Sequence, residues 1–130
     1  MVTRVRRVAV VDDDSLVLRG LRRLLGEAGF EVDTYESGVS FLEALADRPP
    51  DCLVLDLHLP ERNGFAVQVH LNRYRLRIPV VVVTGDDSDE ARSRALSLGA
   101  KSYLRKPVEQ KVLVAAIEAA ISAPPNDQSE

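Results

Sequence analysis

DCLVLDLHLPERNG, residues 51–64, sets a short apolar run against a single acid. Cys52, Leu53, Val54 and Leu55 form the continuous hydrophobic segment that a strand buried on both faces of a parallel sheet requires. Asp56 ends it. An ionised carboxylate at the rim of a buried strand is costly unless a neighbour compensates its charge, which makes position 56 the first candidate for chemistry. Pro60 then takes the chain out of regular structure, and Asn63-Gly64 supplies turn chemistry before the next helix.

The same arrangement recurs on both sides. Val8 to Val11 (VAVV) is a second apolar strand ending in acid, Asp12-Asp13-Asp14. From Ser15 the period changes: Leu18, Leu21, Leu25 and Ala28 make one helical face, Arg19, Arg22 and Arg23 lie elsewhere, and Gly29 stops the helix. Phe30 to Tyr35 is polar at alternate positions, as at a sheet edge. Ser37-Gly38 opens a helix with Phe41, Leu42 and Leu45 that ends before Pro49-Pro50. A helix over about 64–74 precedes Val80 to Val83, whose valines ask for a central strand closed by Thr84-Gly85.

Asp86, Asp87 and Ser88 suit the start of the next helix. That helix has a thin apolar face, Ala91, Ala95 and Leu98, turns Arg92 and Arg94 to solvent, and is weakly anchored on that account. Gly99 ends it. Lys101 to Arg105 is a fifth strand, Lys106-Pro107 follows, and an amphipathic helix runs from Val108 to Ile121. Strands alternating with helices in this way predict an α/β fold, a doubly wound five-stranded parallel sheet with five helices and right-handed crossovers. Residues 1–122 form one domain, and 123–130 read as a flexible C-terminal tail or the start of a linker.

Composition narrows the function. A chain of 130 residues buries roughly two-thirds of its unfolded surface. Its net charge of −3 leaves no basic footprint, which argues against direct nucleic-acid binding. Cys52 is the only cysteine, so there is no internal disulfide framework and a reducing compartment fits; its plain reading is a small core hydrophobe. No apolar run approaches the ~20 residues of a membrane span, and Arg4, Arg6 and Arg7 replace a signal-peptide core. A cytoplasmic protein with no membrane partner is expected.

In doubly wound sheets, sites form at the carboxyl ends of strands. Asp12 and Asp13 end the first strand, Asp56 the third and Thr84 the fourth, while Lys106 follows the fifth. Carboxylates gathered there repel one another and raise each other's pKa values. Mg²⁺, which prefers oxygen ligands, resolves that conflict. Lys106 can pair with Asp56 or with an incoming phosphoryl oxygen, and the Thr84 hydroxyl can donate to another. The set suits phosphoryl transfer onto Asp56.

With VVDDD at 10–14, LDLHLPERNG at 55–64, VVTG at 82–85 and LRKP at 104–107, the sequence resembles a response-regulator receiver domain of bacterial two-component signalling, the CheY-like superfamily. The resemblance covers residues 5–122. It implies the flavodoxin-like strand order 2-1-3-4-5, with Asp56 as phospho-acceptor and Asp12, Asp13, Asp56 and the backbone carbonyl of His58 as Mg²⁺ ligands. It further implies that Thr84 and Lys106 contact the phosphoryl group and that Tyr103 is an aromatic switch coupled to Thr84. A phosphohistidine on a sensor histidine kinase is the implied donor, and the switched surface is the fourth helix, fifth strand and last helix. Gly85 and the later units look most similar to receivers of helix-turn-helix transcriptional regulators of the nitrogen-fixation or LuxR-like type, so a C-terminal DNA-binding output domain and a phosphorylation-dependent homodimer are the implied partners. Val108 stands where the family often has Phe. Gly85 replaces the commoner Ala and gives its loop extra backbone freedom. Positions 58 and 86, which tune phosphoryl lifetime in the family, are His58 and Asp86.

Three rival functions fit these residues less well. A small-molecule aspartyl-phosphate phosphohydrolase needs a second acid where His58 stands. A flavodoxin-like flavin carrier needs Ser, Thr and Gly after the first strand, where three aspartates repel phosphate. A pseudo-receiver lacks a required residue, and none is missing here. Plainer roles suit the remaining residues: Asp14 caps or faces solvent, the His58 ring is a poor Mg²⁺ ligand, His70 lies on a helix surface with no companion at ligand spacing, and Arg4, Arg6 and Arg7 form a solvated strand entrance.

Overall fold

A computed structural model describes residues 4–59, 63–86 and 88–123. The elements are β1 (Arg7–Val11), α1 (Ser15–Glu27), β2 (Glu31–Tyr35), α2 (Gly38–Ala44), β3 (Cys52–Leu55), α3 (Gly64–Arg73), β4 (Val80–Thr84), α4 (Asp89–Ser97), β5 (Ser102–Arg105) and α5 (Gln110–Ser122). The strands are all parallel in the order β2-β1-β3-β4-β5, the doubly wound sheet expected from the alternation of apolar runs and helical periods. The turn expected at Pro60, the helix-opening role of Asp87 and the tail from Pro124 onward lie outside the described residues.

Alternation along each buried strand divides the core between the two faces of the sheet. Val8, Val10, Val54, Val81 and Val83 pack with Leu18, Leu21 and Leu25 of α1 and Leu113 and Ile117 of α5. Val11, Leu53, Leu55 and Val82 face the other way, toward Phe41, Val67, Leu71, Ala91 and Ala95. Each large aliphatic side chain so buried contributes about 1.5–3 kcal/mol, which fixes the register: Val11 pairs with Leu55, and Thr84 with Arg105. One step beyond those pairs stand Asp12 beside Asp56, and Lys106 beside the end of β4.

Several local expectations need correction. α5 begins at Gln110, not Val108, because Glu109 takes the cap position and Val108 packs half-buried against the core. α4 begins at Asp89, with Ser88 as the cap whose hydroxyl accepts from Ala91 N. The N-terminal arginines are not simply solvated: Arg4 donates to both oxygens of Asp51 at 2.8 and 3.1 Å, and Arg7 lies 3.7 Å from Glu31 and from Asp33. Arg92 and Arg94 are exposed but lie over aromatic rings, Tyr103 at 5.7 Å and Phe65 at 4.3 Å from the ring centroids. Such contacts contribute about 0.5–1 kcal/mol at exposed sites. His70 is half-buried, its ring 4.8 Å from that of Tyr74. The Lys106-Pro107 peptide bond is cis. Among the described residues, no helix is long and apolar enough to cross a membrane.

Candidate functional site

The site is built where the strands stop in step. Backbone bonds continue the sheet one residue past its regular ends: Asp12 N donates to the Tyr35 carbonyl, Asp56 N to the Val11 carbonyl at 3.0 Å, and Lys106 N to the Thr84 carbonyl at 2.9 Å. Asp12 and Asp56 are therefore held rigidly, and they are buried, 2% and 5% exposed. Asp13 beside them is exposed. Carboxylate oxygens of Asp12, Asp13 and Asp56 all lie within 4.8 Å of one another.

Lys106 closes the cluster. Its Nζ donates to Asp12 Oδ2 at 2.7 Å and to Asp56 Oδ2 at 3.2 Å. The other oxygen of each acid is fixed by backbone, with Asp14 N donating to Asp12 Oδ1 at 2.9 Å and His58 N to Asp56 Oδ1 at 3.3 Å. Burial pushes the Asp12 carboxyl above its ordinary pKa, aided by the nearby Asp56 charge; the bond from Lys106 opposes this without cancelling it. Burial alone would lower the Lys106 pKa, but its bond to Asp12 and the charge of Asp56 outweigh that and raise it. The ammonium is thus held charged by the two acids, while burial outweighs its pull on Asp12. An oxygen-only donor set with surplus negative charge fits a hard divalent cation such as Mg²⁺.

Thr84 is fully buried at the end of β4, and its Oγ1 accepts from Asp86 N at 3.4 Å. Tyr103 of β5 is buried, and its hydroxyl donates to the Asp86 carbonyl, tying β5 to the loop that follows Thr84. His58 is a loop side chain, 67% exposed, with Nε2 3.7 Å from Asp86 Oδ2 across the mouth of the site. Asp14 is the N-cap of α1, accepting from Leu16 N. Gly85 does not adopt the left-handed backbone, and a Cβ there would meet nothing within 4 Å, so this loop makes no use of glycine's freedom in the present conformation.

Two features escaped the sequence reading. A Cβ on Gly64 would lie 2.6 Å from the Asp56 carbonyl oxygen, so α3 rests directly on the backbone of Asp56. Arg92 lies over the Tyr103 ring, linking α4 to β5. The Asn63-Gly64 pair did signal a turn, but not the tertiary contact behind it.

Residues 8–118 match the family model described as response regulator receiver domain. The chain is 38% identical over 115 residues to the DNA-binding transcriptional regulator NtrC of Escherichia coli, covering 88% of this chain and 24% of that protein. It is 37% identical over 125 residues to response regulator MprA of Mycobacterium avium, covering 95% and 55%. Among solved structures, FixJ-N matches with a TM-score of 0.86 at 30% identity over 94% of this chain and 98% of the other. A CheY-like receiver domain from Methanospirillum hungatei matches with a TM-score of 0.85 at 25% identity over 91% and 94%. The chain spans about a quarter to about half the length of these curated relatives. Coverage of nearly the whole domain by the family model, on a sheet with its acids and lysine gathered at one end, places the chain in the response regulator receiver domain family of two-component signalling.

Proposed function

We propose that this receiver accepts a phosphoryl group on Asp56 from a phosphohistidine of a sensor histidine kinase, or from a small acyl phosphate. The observation that carries the reading is the bridge from Lys106 Nζ to Asp12 and Asp56 at 2.7 and 3.2 Å. A carboxylate oxygen of Asp56 attacks phosphorus, the donor's P–N bond breaks, and the imidazole leaves with the electron pair. Lys106 neutralises charge gathering on the phosphoryl oxygens, and the Thr84 hydroxyl donates to one of them. Asp12, Asp13 and Asp56, with the His58 carbonyl, would hold Mg²⁺, which supplies further charge neutralisation when bound.

Phosphorylation replaces one negative charge on Asp56 by a larger one beside Thr84. The Thr84, Asp86 and Tyr103 contacts carry that change to α4, β5 and α5 as a shift between two pre-existing conformations. The similarity to the DNA-binding transcriptional regulator NtrC supports control of transcription as the role; a C-terminal DNA-binding output domain, a cytoplasmic location and a phosphorylation-dependent homodimer belong to the same proposal. The domain turns over no external substrate in this reading. Intact-mass analysis after acetyl phosphate and Mg²⁺ tests it: wild type gains one phosphoryl mass and Asp56→Asn gains none. A gain that persists in Asp56→Asn, or none in wild type, refutes it.

A further inference from the structure

One face of α3 bonds to the backbone of α4 through side-chain amides. Gln68 Nε2 donates to the Ala95 carbonyl at 3.0 Å, and Asn72 Nδ2 donates to the Leu98 carbonyl at 2.9 Å. Their four-residue spacing puts both on one side of α3. Phe65, one turn earlier, lies beneath the Arg94 guanidinium. The accepting carbonyls lie at the C-terminal end of α4, Ala95 in its last turn, where it also accepts from Ala100 N at 3.1 Å, and Leu98 at the cap.

Gln68 is 1% exposed, and its Oε1 has no hydrogen-bond partner. An apolar side chain of that size would avoid the penalty of an unsatisfied buried oxygen, so packing does not account for an amide here. α4 buries only Ala91 and Ala95, which give little apolar hold. Polar bonds from α3 therefore add to the hold on α4, beside the Arg92 contact with Tyr103 of β5.

The first turns of both helices, at the other end from this seam, reach the site. α3 starts at Gly64, against the Asp56 carbonyl. The Ser88 cap of α4 donates its N–H to the Asp86 carboxylate at 2.8 Å, and Asp86 N donates to Thr84 Oγ1. We propose that Gln68 and Asn72 are positioning residues: by holding the last turn of α4 against α3, they fix the Thr84 to Asp86 segment over Asp56 and so set the lifetime of the phosphoryl group. The lifetime clause rests on Asp56 as acceptor; the hold on α4 does not.

The test compares wild type, Gln68→Met with Asn72→Ala, and Ile117→Val, a core control on α5. In the unmodified protein, the double variant exchanges the α4 amides about tenfold faster while α1 and α5 keep wild-type rates. After acetyl phosphate and Mg²⁺, its phosphoryl half-life falls about threefold because the loosened segment admits water. The control changes neither. Wild-type exchange in α4, an increase spread equally over all helices, or faster α4 exchange with an unchanged half-life overturns the proposal. A wild type that takes up no phosphate refutes the acceptor reading, and the exchange measurement still decides the hold on α4.

Discussion

Gly64→Ala adds a single methyl group where α3 meets β3. That carbon would lie 2.6 Å from the Asp56 carbonyl oxygen, 2.8 Å from Leu57 Cα and 2.9 Å from Leu57 Cδ2. The Leu57 side chain can rotate aside, but the two backbone atoms cannot move without shifting α3. Ordinary contact begins near 3.4 Å, so α3 must retreat by about 0.8 Å. That movement works against the bond from Gly64 N to the Leu57 carbonyl at 3.0 Å. Overpacking against backbone costs about 1–3 kcal/mol and the strained bond about 1 kcal/mol, partly offset by alanine's smaller loss of backbone entropy. A net loss of about 2–3 kcal/mol, with a urea slope of about 1.5 kcal/mol per molar, lowers the midpoint by about 1.3–2 M. The same change at Gly20 in α1 meets nothing within 4 Å and should gain about 0.5–1 kcal/mol. Urea unfolding of the two variants beside wild type gives shifts of opposite sign. Equal shifts, or an unperturbed Gly64→Ala midpoint, would falsify the close approach of α3 to Asp56.

Lys106→Met removes the ammonium that bridges Asp12 and Asp56; the rate of mass gain from acetyl phosphate should fall about 10²-fold, and a fall of less than about threefold would remove Lys106 from the chemistry. Asp51 is held below its ordinary pKa of 3.8 by the Arg4 hydrogen bond first, with the backbone N–H of Arg7 adding to it against the opposing effect of burial. A depressed carboxylate stabilises the fold above its unfolded pKa and loses that contribution as pH falls through the folded value. Asp51→Asn should therefore cost about 1 kcal/mol at pH 7, because solvent screens the exposed Arg4 pair to a small contribution and the Arg7 N–H bond is weakened, and the deficit should shrink below pH 4 in urea titrations; a deficit independent of pH would show that the charge is irrelevant. The Cys52 thiol, pushed up to about 12 by burial, should react with a thiol reagent only at the rate of global unfolding. Prompt labelling in native buffer would place it outside the core.

The residues that build the site were legible because each ends or follows an apolar run. Val11 before Asp12, Leu55 before Asp56 and Val83 before Thr84 tie strand ends to chemistry, and parallel pairing then brings those ends to one side. Long-range partners left no such trace. Nothing local announces that Arg4 bonds Asp51, that Gln68 and Asn72 reach the α4 backbone, or that Arg94 covers Phe65, because each pairing depends on how two helices or loops meet after folding. The thin apolar face of α4 shows in the spacing of Ala91, Ala95 and Leu98, of which the first two are buried, while nothing in the sequence marks its polar attachment. The sequence pattern starts α5 two residues early because Val108 continues an apolar period that Glu109 interrupts as a cap.

The rim of β2 carries a ladder of opposite charges: Arg7 and Arg48 each lie within 3.7 Å of Glu31 and of Asp33. A bare outermost strand is a template on which another molecule can add its own backbone. Here an incoming chain would first have to separate paired guanidinium and carboxylate groups and then lie against whichever charges it exposed. Association between copies of this protein is thereby steered away from strand addition at that rim, which keeps a concentrated preparation from growing into fibres by that route.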